Sequence, residues 1–270
     1  MAITTLDGVI AGQQPPFFIS KAVTATLVAG RPASLWSLGG NPGAGSFDTT
    51  LNGVTLSSTS SQVAGQIRHV DPGSGNAYLS RLQAQATQAG TLLLLDRLWH
   101  NGGYTITSAT AQNSTTPTWP ARDIVGSTNG DGVLLALEVS AACGAAAPTI
   151  TVGYTNQAGT ASRTGTNILA TANSPAIGAT YFIGLQAGDT GVRSVQSLTL
   201  SVSWVSGTIN LVAYRLLAAL ELSQALGSNA IDAITGGLPR LYNGTVPWMV
   251  FVPNTTTATL VQGQYMETQG

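Results

Sequence analysis

The feature that most restricts this chain is a period of two in its apolar residues, which places alternate side chains on one face of a β-strand. In the clearest stretch Leu198, Leu200, Val202 and Trp204 alternate with Ser197, Thr199, Ser201 and Ser203. Ser206-Gly207 then offers a two-residue turn into Thr208-Ile209-Asn210-Leu211. A turn of that length fixes a hairpin register, with Trp204 opposite Ile209, Val202 opposite Leu211 and Leu200 opposite Ala213, so the apolar partners share one face. The same alternation runs over 149–154, with a turn at Asn156-Gln157-Ala158-Gly159 and a more polar return strand over 160–166. Leu92 to Leu95 with Leu98-Trp99 reads as a strand buried on both faces, and 79–86 is open to strand or helix. Further strands are expected over 103–107, 133–140, 180–185, 246–252 and 257–265, the spacing of a β-sandwich or jelly roll. Helix is minor, its best candidate being the leucine- and alanine-rich 216–226 before Gly227.

Residues 1–76 have a different texture. Pro15-Pro16, Arg31-Pro32, Gly39-Gly40, Asn41-Pro42 and Asp71-Pro72-Gly73 leave room only for short strands. The expectation is an extended, loop-rich N-terminal arm over 1–76 and a sandwich or jelly-roll body over 77–270. Phe17, Phe18, Ile19, Leu35 and Trp36 are the arm's apolar anchors, too sparse to close a core among themselves, and Phe17, Phe18, Leu35 and Trp36 are the candidate assembly contacts.

Charge narrows the function. Charged residues make up 8% of the chain, against about 25% in ordinary soluble proteins. A neutral surface of serine, threonine, asparagine and glutamine repels neighbouring copies weakly, which favours homo-oligomers. Net charge is −1 and Lys21 is the only lysine, so no basic stripe exists for a phosphate backbone and nucleic acid is not an expected partner. Apolar stretches are interrupted by Asp96, Glu138 and Arg215 well before the ~20 residues of a membrane helix.

Nothing in the sequence spells catalysis. His69 and His100 stand in no metal-ligand spacing, and Cys143 is the only cysteine. No serine lies in a nucleophile elbow, and the glycine-rich 39–45 lacks the lysine of a phosphate cradle. Asp123, Asn129 and Asp131 share a glycine-containing loop but lack the spacing and closing glutamate of a calcium loop. We assign no catalytic, cofactor-binding or metal-ligating residue and no cofactor. Trp99, Trp204 and Trp248 read as core, whereas Trp119, between Pro117 and Pro120, reads as exposed.

Several segments resemble structural proteins of tailed-bacteriophage virions. They are Ile3-Thr4-Thr5-Leu6-Asp7-Gly8, the block from Gly90-Thr91-Leu92 to Asp96-Arg97-Leu98-Trp99-His100-Asn101, Tyr154-Thr155-Asn156-Gln157-Ala158-Gly159-Thr160, and Gly188-Asp189-Thr190-Gly191-Val192-Arg193-Ser194. Within that class the chain is most similar to auxiliary head proteins of the decoration or cement type. The resemblance implies a non-catalytic subunit, made in the host cytoplasm, that binds the capsid exterior. Its partners would be the major capsid protein and sister copies, a trimer being one arrangement. The alternative is a tail- or fibre-associated sandwich that recognises host-surface glycans.

Overall fold

The computed structural model describes residues 3–23, 27–58 and 62–270. With 44% of the chain in strands and 2% in helix, the protein is all-β, and its sheets are antiparallel and curled. The single helix among the described residues, α1 (Leu6–Ala11), is capped by Thr5, whose hydroxyl accepts the Gly8 N–H at 3.1 Å. Then come β1 (Phe17–Val23), β2 (Ala33–Ser34), β3 (Gly40–Asn41), β4 (Val54–Thr55), β5 (Ala77–Ala86), β6 (Gly90–His100), β7 (Gln112–Asn113) and β8 (Val133–Ala141). They are followed by β9 (Ile150–Asn156), β10 (Arg163–Asn167), β11 (Thr180–Gly184), β12 (Val192–Leu200), β13 (Thr208–Leu222), β14 (Asn229–Asp232), β15 (Arg240–Leu241), β16 (Pro247–Pro253) and β17 (Thr259–Gln269).

The chain divides into two compact units. Unit 1 comprises Met1–Ser46, Ser57–Asp96 and Leu216–Gly270. One layer of it is the sheet β14-β5-β17-β1-β3, with β15 also on β5. The other contains β16, paired with β2 and with the Gly90–Asp96 part of β6. Ile19, Leu82 and Tyr265 from the first layer meet Leu92, Leu94, Met249 and Phe251 from the second in one core, so unit 1 is a β-sandwich.

Unit 2 comprises Phe47–Leu56 and Arg97–Arg215. Its strands follow the order β13-β8-β11-β10-β9-β12-β7, and β4 pairs with the end of β6. The sheet curls until Leu135, Leu137 and Val139 of β8 share a core with Ile150, Val152 and Tyr154 of β9 and Leu198 and Leu200 of β12. Unit 2 also buries an ion pair, Arg97 Nη1 to Glu138 Oε2 at 2.9 Å, with both side chains fully buried.

The expected division at residue 76 is not where the chain separates. Of residues 1–76, those at 1–2, 24–26 and 59–61 lie outside the described residues. The remainder is shared between both units, and β1 sits inside the unit 1 sheet, hydrogen-bonded to β17 on one side and β3 on the other. The few apolar anchors of this stretch do not need a core of their own because Ile19, Val23, Leu27 and Leu35 enter the core of unit 1.

Three local expectations are corrected. The helix over 216–226 is strand to Leu222, where Leu220 and Leu222 are buried while Ala219 and Glu221 face out. Leucine's helix propensity is worth less than ~1 kcal/mol per residue, whereas burying its side chain is worth about 1.5–3, so packing wins. The 195–217 hairpin does not form, since β12 pairs with β9 and β7 while β13 pairs with β8. Alternation identified the inward face correctly for Leu198, Leu200, Trp204, Ile209, Leu211 and Ala213, but a face does not name its partner strand. Residues 103–107 form no strand, although Tyr104 and Ile106 are buried.

Candidate assembly surface

The antiparallel order brings three connections to one end of unit 2: 142–149 after β8, 168–179 after β10 and 201–207 after β12. None of these residues is Asp, Glu, Lys, Arg or His. Ile168, Leu169, Ile177, Val202 and Val205 are all exposed there, Ile168 and Val205 at 66% each. Among the exposed large aliphatics of unit 2, these lie on connections that also hydrogen-bond to one another. A cluster of exposed apolar side chains without a charge among them is the composition of an interface rather than of a solvated rim.

These loops are held in place. Gly144 N donates to Ser206 O at 2.9 Å, Cys143 N to Pro175 O at 3.0 Å, and Ser201 N to Thr149 O at 2.9 Å. Thr171 Oγ1 donates to Pro148 O at 2.6 Å, and Thr149 N to Ser201 Oγ at 2.8 Å. Beneath them Trp204 is buried, its Nε1 donating to Ala146 O at 2.9 Å, and its ring lies 6.5 Å from that of Tyr181. Cys143 is buried as well, and burial pushes its thiol up to about 11. A surface already ordered before contact loses less entropy when it docks.

The opposite end of unit 2 is organised by carboxylates. Asp189 receives Arg163 Nε and Nη2 at 2.9 Å each, Tyr154 OH at 2.6 Å and Asn156 Nδ2 at 2.7 Å. The Arg163 hydrogen bonds, joined by those of Tyr154 and Asn156, hold its carboxyl well below the usual range. Asp123 is buried and accepts Val125 N at 3.0 Å, Ser127 N at 2.7 Å, Gly130 N at 3.2 Å and Asp131 N at 3.3 Å. Burial opposes its ionisation, but bonds from Ser127, Val125 and Asp131 prevail and lower its pKa. This carboxylate therefore staples its own loop. Among the described residues no group of three or more His, Cys, Asp or Glu is placed to hold a metal ion.

Of the residues singled out from sequence, Leu35 and Trp36 are each 1% exposed. Trp36 donates from Nε1 to Ser46 O at 2.8 Å and meets Trp248 edge-on at 6.3 Å. They are core of unit 1 and are not on its surface. Phe17 is half-buried, and Phe18 is exposed on the outer face of β1. Trp119 is buried too, since its ring lies 5.3 Å from Trp99 and its Nε1 donates to Val192 O at 2.8 Å.

Sequence reasoning missed the buried ionisable groups. His69 places Nδ1 3.0 Å from both Glu267 oxygens and Nε2 3.1 Å from Asp71 Oδ1, an arrangement that suits the doubly protonated ring. Burial alone would lower its pKa, but the Glu267 hydrogen bond and charge, then the charges of Asp71 and Asp96, raise it. His100 goes the other way, pushed down to about 2 by burial and by Arg97, whose Nε donates to its Nδ1 at 3.1 Å. Lys21 is buried against Leu38 O at 2.6 Å and Gly43 O at 3.1 Å, and burial lowers it to about 8. Partners 198 positions apart, as His69 and Glu267 are, leave no local signal.

No family model and no curated protein matches the chain. Among solved structures it is similar to infectious bursal disease virus VP2 in a subviral particle, at 9% identity and TM-score 0.17, over 96% of this chain and 81% of that one. It is also similar to T=1 particles derived from the same virus, at 10% identity and TM-score 0.16, over 96% and 79%. These are virus-particle proteins, but overlaps this slight carry no argument about function.

Proposed function

We propose that this chain is a non-catalytic structural subunit of a virion, which decorates and stabilises a phage capsid through the major capsid protein and sister copies. The observation that supports this most is the ordered loop end of unit 2, with Ile168, Leu169, Ile177, Val202 and Val205 exposed and no charge in its connections. Burying one such aliphatic side chain is worth about 1.5–3 kcal/mol. Association costs roughly 4–15 kcal/mol in lost freedom, so a single patch binds weakly and repetition around a shell makes the sum strong. The mechanism is cross-linking by buried contact area. Of the earlier anchors, Phe18 is the exposed one and thus the one still open to a partner.

Electron cryomicroscopy of intact particles is the test. Density for this chain outside the shell, with 168–179 and 201–207 against a neighbouring subunit, is the expected result. Particles that lack the chain, or hold it with that loop end in solvent, would refute the reading.

A further inference from the structure

The outer face of the unit 1 sheet carries a groove of about 250 Å³. It is lined by Phe18 of β1, Gln83 and Gln85 of β5, Gln262 and Gln264 of β17, and Ser228. Strand register builds it: Gln264 stands between Phe18 and Gln83, and Gln262 between Ser20 and Gln85. Four carboxamides and an aromatic ring therefore converge on one hollow. Among the described residues no ionisable side chain lines it.

The amides are not all used within the protein. Gln83 is engaged on both sides, its Nε2 donating to Ser228 Oγ at 3.1 Å and its Oε1 accepting Arg81 Nη2 at 2.8 Å. Among the described residues, no side-chain hydrogen bond engages Gln85, Gln262 or Gln264. Each offers one acceptor and two donors to whatever enters. Phe18 is 54% exposed, yet its backbone is fixed, since β1 is paired on both sides and Asn41 Nδ2 donates to Phe18 O.

We propose that this groove binds a neutral saccharide of one or two sugar units. A pyranose presents an apolar face that stacks on an aromatic ring and a rim of hydroxyls that both donate and accept, which matches Phe18 beside free carboxamides. An anionic ligand would meet no cation in the lining. A peptide strand would want an open sheet edge, and β17 is an interior strand whose neighbours β5 and β1 already occupy both sides. The volume lies just under the usual range for small-molecule pockets, about 300–1,000 Å³, which sets the size of the ligand. The site is independent of the loop end of unit 2.

Saturation-transfer NMR on the full chain tests it, with lactose, maltose and chitobiose as neutral probes and sialylated lactose as the charged one. Binding of at least one neutral probe is expected, weakened at least about tenfold by Phe18→Ala and by Gln262→Ala. Both positions lie on the outer face, and an unchanged melting temperature confirms the fold. Gln264→Leu, at an exposed position, repeats the test if either variant is unstable. Absence of binding by every neutral probe, preference for the sialylated one, or binding that survives all three substitutions would overturn the assignment.

Discussion

The two ends of unit 2 order long connections by opposite means. At one end Asp189 and Asp123 gather arginine, tyrosine and backbone donors. At the other, backbone groups, hydroxyls and the Trp204 indole bind the loops to each other while aliphatic side chains are left outside. Ordering a loop does not require exposing Ile168 and Val205. The contrast therefore separates what stability needs from what contact needs, because charge at the second end would order it equally well but resist burial against a neighbour. The first end is not free of apolar exposure, since Ile124 and Val125 project from the Asp123 loop.

The largest effect is expected where the carboxylate is the organiser. Asp123→Ala leaves the N–H groups of Val125, Ser127, Gly130 and Asp131 without their acceptor. A loss of about 2–3 kcal/mol in chemical denaturation should follow. A loss under about 0.5 would mean that the loop orders itself and the contrast is false.

Next comes Val205→Asp at the uncharged end. Val205 is 66% exposed, so denaturation should change by less than about 0.5 kcal/mol. Self-association or particle binding, followed by sedimentation velocity, should weaken at least about tenfold, because a carboxylate would have to be desolvated in the contact. Unchanged association would break the link between this end and assembly.

Acid provides a smaller test, and its sign differs between units. The depressed pKa values of Asp123 and Asp189 contribute stability to unit 2 above the unfolded aspartate value of about 3.9. That contribution is lost as pH falls from there through the folded values. In unit 1 the raised pKa of His69 contributes stability that is complete below about 6.5 and is lost as pH rises through its folded value. Replacing His69 by Gln should flatten the alkaline side of the stability profile. A profile unchanged by this substitution would contradict the paired-carboxylate reading.

Much of the fold was legible because period-two alternation is a local property. Leu92 to Trp99, 133–140 and 149–154 became β6, β8 and β9, and Leu198, Leu200 and Trp204 face inward as their spacing requires, whereas Val202, past the end of β12, is 48% exposed. Pairing was not legible, since β12 and β13 satisfy the same alternation with different partners from those a two-residue turn suggested. Nor was the division of the chain, because Ile19 of β1 packs in one core with Tyr265 of β17. The candidate surface was visible only as fragments. Its small-residue stretch, its Ile168-Leu169 pair and its Val202 to Val205 segment are distant in sequence, and the sheet order alone brings them together.

The most direct test is hydroxyl-radical footprinting of the chain free and in its assembled particle. Protection on assembly should concentrate at Ile168, Leu169, Ile177, Val202 and Val205 and spare the Asp189 end at 156–162 and 186–190. Equal labelling of the five aliphatic residues in both states, or protection confined to the carboxylate end, would contradict the claim that the uncharged end makes the contact.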